Sequence, residues 1–138
     1  MKIQDCIRKG WLKREEPNSK KAEQSIKISE AKLEEAEKAL KADLIETTIV
    51  FSYMSMFHAA RALLFKEGFR EKGHVPILVF LEEKYEKIIG KQLLYEFNSM
   101  RLERHESLYG LQPEYFKDDA EHALKTARQF LSKIKELI

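Results

Sequence analysis

The residues best placed to do chemistry are Arg101, Arg104, His105, Glu106 and Tyr109. On a helix, Arg101, Arg104 and His105 fall at spacings of three and four, so two guanidinium groups and an imidazole share one face. Guanidinium is a planar fork that grips phosphate oxygens with paired, charge-assisted hydrogen bonds. Imidazole exchanges a proton near neutral pH, and a tyrosine ring can stack on a base or donate to a phosphate. The set therefore describes an anion site. Its structural alternative is that Arg101 and Arg104 cap helix C-terminal carbonyls or pair with Glu103 and Glu106. No GxSxG, P-loop, GxGxxG, HExxH or DxDxDG string is present, and a single cysteine, Cys6, with no CxxC pair gives no structural zinc and no internal disulfide. No metal site and no cofactor are expected.

The elements that must position these residues are helices. In 138 residues, 43% are apolar and 35% charged, with five Gly and three Pro, a composition suited to one helix-rich domain spanning 1–138. The formal charge of +2, from 25 Lys and Arg against 23 Asp and Glu, is too balanced for nucleic acid to be held by bulk charge. Any such site must be local. The start of the chain has no apolar leader pattern, and no run reaches the ~18 continuous apolar residues of a membrane span, so a cytoplasmic protein with no membrane partner is expected.

Residues 1–16 carry Lys2, Arg8, Lys9, Lys13 and Arg14 around Ile3, Ile7, Trp11 and Leu12, a spacing that predicts a short amphipathic helix. This segment reads as an arm docked on the body, the alternative being a membrane-surface or RNA-binding arm. Pro17, Asn18 and Ser19 then offer N-cap oxygens to a long helix reaching about Lys41. The segment from Leu44 to Lys66 has almost no polar face, so it must lie centrally in a bundle or at an oligomer interface. Gly68 fits a C′ position, a loop runs to about His74, and Pro76 sits in the first turn of the next helix. That helix ends at Gly90, and a second one continues in helical register towards Arg104. After Tyr109 to Pro113, a last helix places Phe116, Ala120, Ala123, Leu124, Ala127, Phe130, Leu131, Ile134 and Leu137 on one stripe. No segment alternates with period two, so no strand is expected. The fold class is all-α: an antiparallel four-helix up-down bundle with an additional short helix.

Among the histidines, His58 reads as a hydrogen-bonded core residue, His74 as serving a helix N-terminus or its loop, and His122 as exposed. The string Tyr53-x-x-Met56-Phe57-His58-Ala59-Ala60-Arg61-Ala62-Leu63-Leu64, together with Glu71-Lys72-Gly73-His74 and with Arg104 and Tyr109, resembles the HEPN family (higher eukaryotes and prokaryotes nucleotide-binding) from about Ala22 to the C-terminus. It is closest to small stand-alone prokaryotic members paired with minimal nucleotidyltransferases.

The resemblance implies a two-fold homodimer whose polar clefts bind nucleotide or RNA through Arg101, Arg104, His105 and Tyr109. It also implies a minimal nucleotidyltransferase protein as partner in a toxin-antitoxin-like module. Ribonuclease members carry a catalytic His four to six residues after the Arg, and here Tyr109 stands in that region. Imidazole has a pKa near 6.5 and phenol near 10 (both approximate), so binding survives this replacement better than catalysis. The expected function is binding rather than catalysis. The rivals are a metal-independent endoribonuclease toxin using Arg104 with His105, and a helical interaction module with no ligand.

Overall fold

The structure, a computed structural model, describes residues 1–109 and 114–138, with the backbone alone described for 103–109. In chain order the elements are α1 (Ile3–Arg8), β1 (Leu12–Arg14), α2 (Ser19–Lys41), α3 (Ile45–Glu67), β2 (Phe69–Glu71), α4 (His74–Ile89), α5 (Lys91–Tyr109) and α6 (Lys117–Glu136). The fold is all-α, with α2, α3, α5 and α6 as the long helices of the bundle and α4 and the short α1 added to them.

Helix α3 is the centre. Ile49, Tyr53, Met56, Ala60, Leu63 and Leu64 are each at most 1% exposed, and α2, α4, α5 and α6 all pack on this helix. Of the two places open to so apolar a helix, the bundle centre is the one it occupies. It is also long and apolar enough, by length and composition, to cross a membrane, but two-thirds of that stretch is buried inside the fold. A homodimer therefore draws no support from the apolarity of α3 and rests on the resemblance alone.

Small residues set how closely α2 and α3 approach. Ala22, Ser25, Ser29, Ala36 and Ala39 of α2 are buried, as are Ser52, Ser55, Ala59 and Ala62 of α3. Three of these serine hydroxyls bond across the seam, while Ser52 Oγ is buried without a bond: Ser25 Oγ donates to the His58 carbonyl at 2.6 Å, and Ser29 Oγ donates to the Ser55 carbonyl at 2.7 Å. Ser55 Oγ donates in return to the Ser29 carbonyl at 2.9 Å. Each bond satisfies a hydroxyl that would otherwise be buried without a partner.

Glycine punctuation falls where expected. Gly68 caps α3 at φ 84°, and a Cβ there would meet the Glu15 carbonyl oxygen at 2.4 Å, so both conformation and space require glycine. Gly90, at φ 96°, separates α4 from α5 and makes them a kinked pair. Asn18 caps α2, its Oδ1 accepting from the Lys21 N–H at 2.9 Å.

Two features depart from the sequence reading. Residues 12–14 and 69–71 form a two-stranded antiparallel ribbon, pairing Leu12 with Glu71, Lys13 with Arg70 and Arg14 with Phe69. Three residues are too few to show an alternation, and the partners lie more than fifty positions apart in sequence. Phe116, expected on the apolar stripe of α6, is instead 66% exposed at its N-cap, where its N–H donates to Asp119 Oδ2 at 2.8 Å. The arm itself is docked: Ile3, Cys6 and Leu12 are buried, and the Ile3 N–H donates to Glu83 Oε1 at 2.9 Å.

Candidate functional site

A small crevice lies where α3, the start of α4 and α5 meet, lined by Tyr53, His74, Leu78, Phe97, Asn98 and Arg101. Each side chain arrives by a different local device. Tyr53 projects from the central helix, with only 1% of its surface exposed, and its ring stacks on Phe97 at 5.5 Å between centroids, 19° from parallel. His74 is the first residue of α4 because Gly73, at φ 95°, turns the chain sharply out of β2. The imidazole packs on Tyr53 and Phe57, with centroids 5.4 and 5.0 Å away. Tyr53 Oη and His74 Nδ1 share a hydrogen bond whose direction follows the histidine tautomer. Two turns up α5 from Leu94, Arg101 Nε donates to Asn98 Oδ1 at 3.2 Å, which fixes the guanidinium at the rim.

The arrangement is an aromatic floor with a phenol and an imidazole joined at its polar edge, and an oriented, partly buried guanidinium beside them. The crevice encloses only about 10 Å³, so a base can lie across its aromatic mouth but not enter it, while the fixed guanidinium suits a phosphate. Among the described residues, Asn98 is the side chain that holds Arg101. Helix α5 continues through Arg104 and His105 to Tyr109, so the three-and-four spacing from Arg101 is realised in the backbone. The side chains of Arg104, His105 and Tyr109 lie outside the described residues, as does the connection from Gly110 to Pro113. No motif in the sequence connects Tyr53 or His74 to Arg101 or gives Asn98 a role. The repeated spacing Leu94, Phe97, Asn98, Arg101 on α5 is the signal that could have linked the last three.

Other polar clusters serve different ends. His58, on the α2 side of α3, is half-buried and its Nδ1 is buried without a hydrogen bond, unlike the bonded core histidine expected. Burial holds its pKa below the usual 6.5, and the charges of Arg61 and Lys32 push the same way. His122 is exposed and pairs with Glu96 at 3.1 Å. A wide groove runs between α2 and α6, but its cations are already matched to carboxylates, Arg128 to Glu37 at 3.1 Å and Lys135 to Glu30 at 3.2 Å. A groove with its charges matched internally offers an incoming anion less than the Arg101 crevice does.

Comparison with known proteins places the chain. The HEPN domain model matches residues 22–137. The chain is also similar to a UPF0332 protein of Archaeoglobus fulgidus, 30% identical over 114 residues that span 82% of this chain and 91% of that protein. The chain belongs to the HEPN domain family, and with it to the helical domains associated with nucleotides and RNA.

Proposed function

We propose that this HEPN bundle binds a nucleotide or RNA at the crevice formed by Tyr53, His74, Asn98 and Arg101, extended along α5 by Arg104, His105 and Tyr109. It acts as a cytoplasmic homodimer and as the partner of a minimal nucleotidyltransferase in a toxin-antitoxin-like module. The observation that carries the reading is the convergence of Tyr53, His74 and Arg101 from three elements on one aromatic-floored crevice. The base packs against the aromatic edge, Arg101 takes a phosphate, and the Tyr53–His74 pair supplies a donor or an acceptor according to the tautomer. Each charge-assisted bond to phosphate contributes about 1.5 to 3 kcal/mol.

Strand cleavage needs a group that moves a proton near neutral pH, and Tyr109 stands where ribonuclease members of the family carry histidine. Binding without efficient cleavage is therefore the function assigned. Two experiments test it. Purified protein incubated with structured and single-stranded RNA, without metal, should leave the RNA intact; robust cleavage lost in His105→Ala would establish the ribonuclease instead. Sedimentation at micromolar concentration should give a dimer, and a 16 kDa species alone would remove the homodimer from the account.

A further inference from the structure

The basic ribbon made by β1 and β2 lies partly outside the stretch that matches the family, since β1 precedes residue 22. Its two faces differ. The inner face carries Leu12 and Phe69, 1% and 3% exposed, Arg14 over the Phe69 ring, and Glu71, whose carboxylate meets Arg61 of α3 at 2.5 Å. Leu12, Phe69 and Glu71 on that face dock the arm.

The outer face follows from the register. Main-chain bonds extend the ribbon by one pair at each end, from the Lys72 N–H to the Trp11 carbonyl at 2.8 Å and from the Glu15 N–H to the Gly68 carbonyl at 2.9 Å. Period-two alternation then puts Trp11, Lys13 and Glu15 on one side with Arg70 and Lys72 opposite them. Trp11, Lys13, Arg70 and Lys72 are all exposed. Glu15 is the one acid on this face, 3.4 Å from Arg70. Lys9 lies over the Trp11 ring, its Nζ 4.6 Å from the centroid.

Two things here are unfavourable for folding alone. Lys13 stands directly across from Arg70, and like charges opposite one another destabilise an antiparallel pair. The only tryptophan of the chain is left at the surface beside them. Both features suit an extended polyanion that carries flat rings: cations for its phosphates and an indole for its bases. Four cations, Lys9, Lys13, Arg70 and Lys72, stand here against the single carboxylate of Glu15.

We propose that the outer face of the ribbon, Trp11 with Lys13, Arg70 and Lys72, is a second contact surface that binds single-stranded RNA. The choice of RNA as the polyanion rests on the nucleotide or RNA reading of the crevice. The indole favours it over an acidic protein, which offers no stacked rings.

Trp11 reports on its own surface. Titrating the full chain with a 15-nucleotide single-stranded RNA at low salt should quench the Trp11 emission. Lys13→Glu should weaken RNA binding tenfold or more, yet melt no lower than wild type, because it replaces a like-charge pair with an opposite one. Lys13→Ala combined with Arg70→Ala should lower the slope of log affinity against log salt by about 1.4. Mononucleotide binding should not change in either variant.

RNA binding that leaves Trp11 emission unchanged and is equal in the ribbon variants would overturn the ribbon surface while leaving the crevice in place. Quenching by RNA that persists when the wild type binds no mononucleotide would do the reverse. No RNA binding at all overturns the ribbon proposal, as does binding to phosphatidylglycerol vesicles with the same variant dependence and no response to RNA.

Discussion

The α2–α3 seam and the α3–α4–α5 crevice both place polar side chains against the central helix, and they do so in opposite ways. At the seam the groups are short serines, Ser25, Ser29 and Ser55, each bonded to a main-chain carbonyl on the facing helix. At the crevice they are longer and either charged or able to move a proton: Tyr53, His74 and Arg101, bonded through side chains. Serine bonds to carbonyls lock two helices at a fixed separation. At the crevice, the partly exposed His74 and Arg101 are held by other side chains and can instead turn a donor towards a newcomer. The difference teaches that polarity near the core is structural where the main chain consumes it, and available for function where side chains hold one another.

The sharpest break of this comparison is Ser29→Leu. The residue is fully buried, and a larger apolar side chain both overpacks the seam and removes the hydroxyl that donates to the Ser55 carbonyl, so the expected loss is about 3 kcal/mol. Urea unfolding measures it, and a loss below about 1 kcal/mol would mean that the serine bonds are incidental. Tyr53→Phe ranks next. It deletes the hydroxyl bonded to His74 while keeping the ring on Phe97, at an expected cost of about 1 kcal/mol in the same measurement. It should also weaken mononucleotide binding, which Ser29→Leu, where folded, should not.

The smallest expected effect lies on the seam side itself. His58 is held below its usual pKa of 6.5 in the fold, so as pH falls from 6.5 the unfolded chain takes up a proton that the native state resists. Stability is present above 6.5 and declines on acidification towards the lowered native pKa. His58→Gln should flatten that decline, seen as a smaller change in urea midpoint between pH 7.5 and pH 5.5. An unchanged pH dependence would place the acid sensitivity elsewhere.

How much of this was legible beforehand follows from the range of the interactions. Helix limits were readable because glycine and asparagine act locally: Gly68 and Gly90 carry positive φ, and Asn18 caps within its own turn. The stripe of α6 was readable from its period, apart from Phe116. The ribbon was not, since β1 and β2 have three residues each and depend on a partner far along the chain. The place of α3 is not legible, because composition reports that a helix is covered but not by what, so bundle centre and oligomer interface look alike.

The candidate site was half legible. Arg101 stood out from its spacing to Arg104 and His105, and Tyr53 and His74 from the motifs they belong to. Their meeting depends on how α4 turns at Gly73 and packs beside α5, which no local pattern encodes. Asn98, which orients Arg101, carries no signal of its own beyond its position one turn earlier on α5.

The central claim is that the crevice is a ligand site and not a structural knot, and Arg101→Ala tests it most directly. Calorimetry or ligand-observed NMR with mononucleotides and short RNA would compare it with wild type and with Lys125→Ala, an exposed charge on α6. The account predicts at least about a tenfold loss in Arg101→Ala, equivalent to about 1.4 kcal/mol, with Lys125→Ala nearly unchanged. Equal losses in both variants, or no binding to wild type at millimolar ligand, would contradict it and leave Arg101 as a residue that only braces α5.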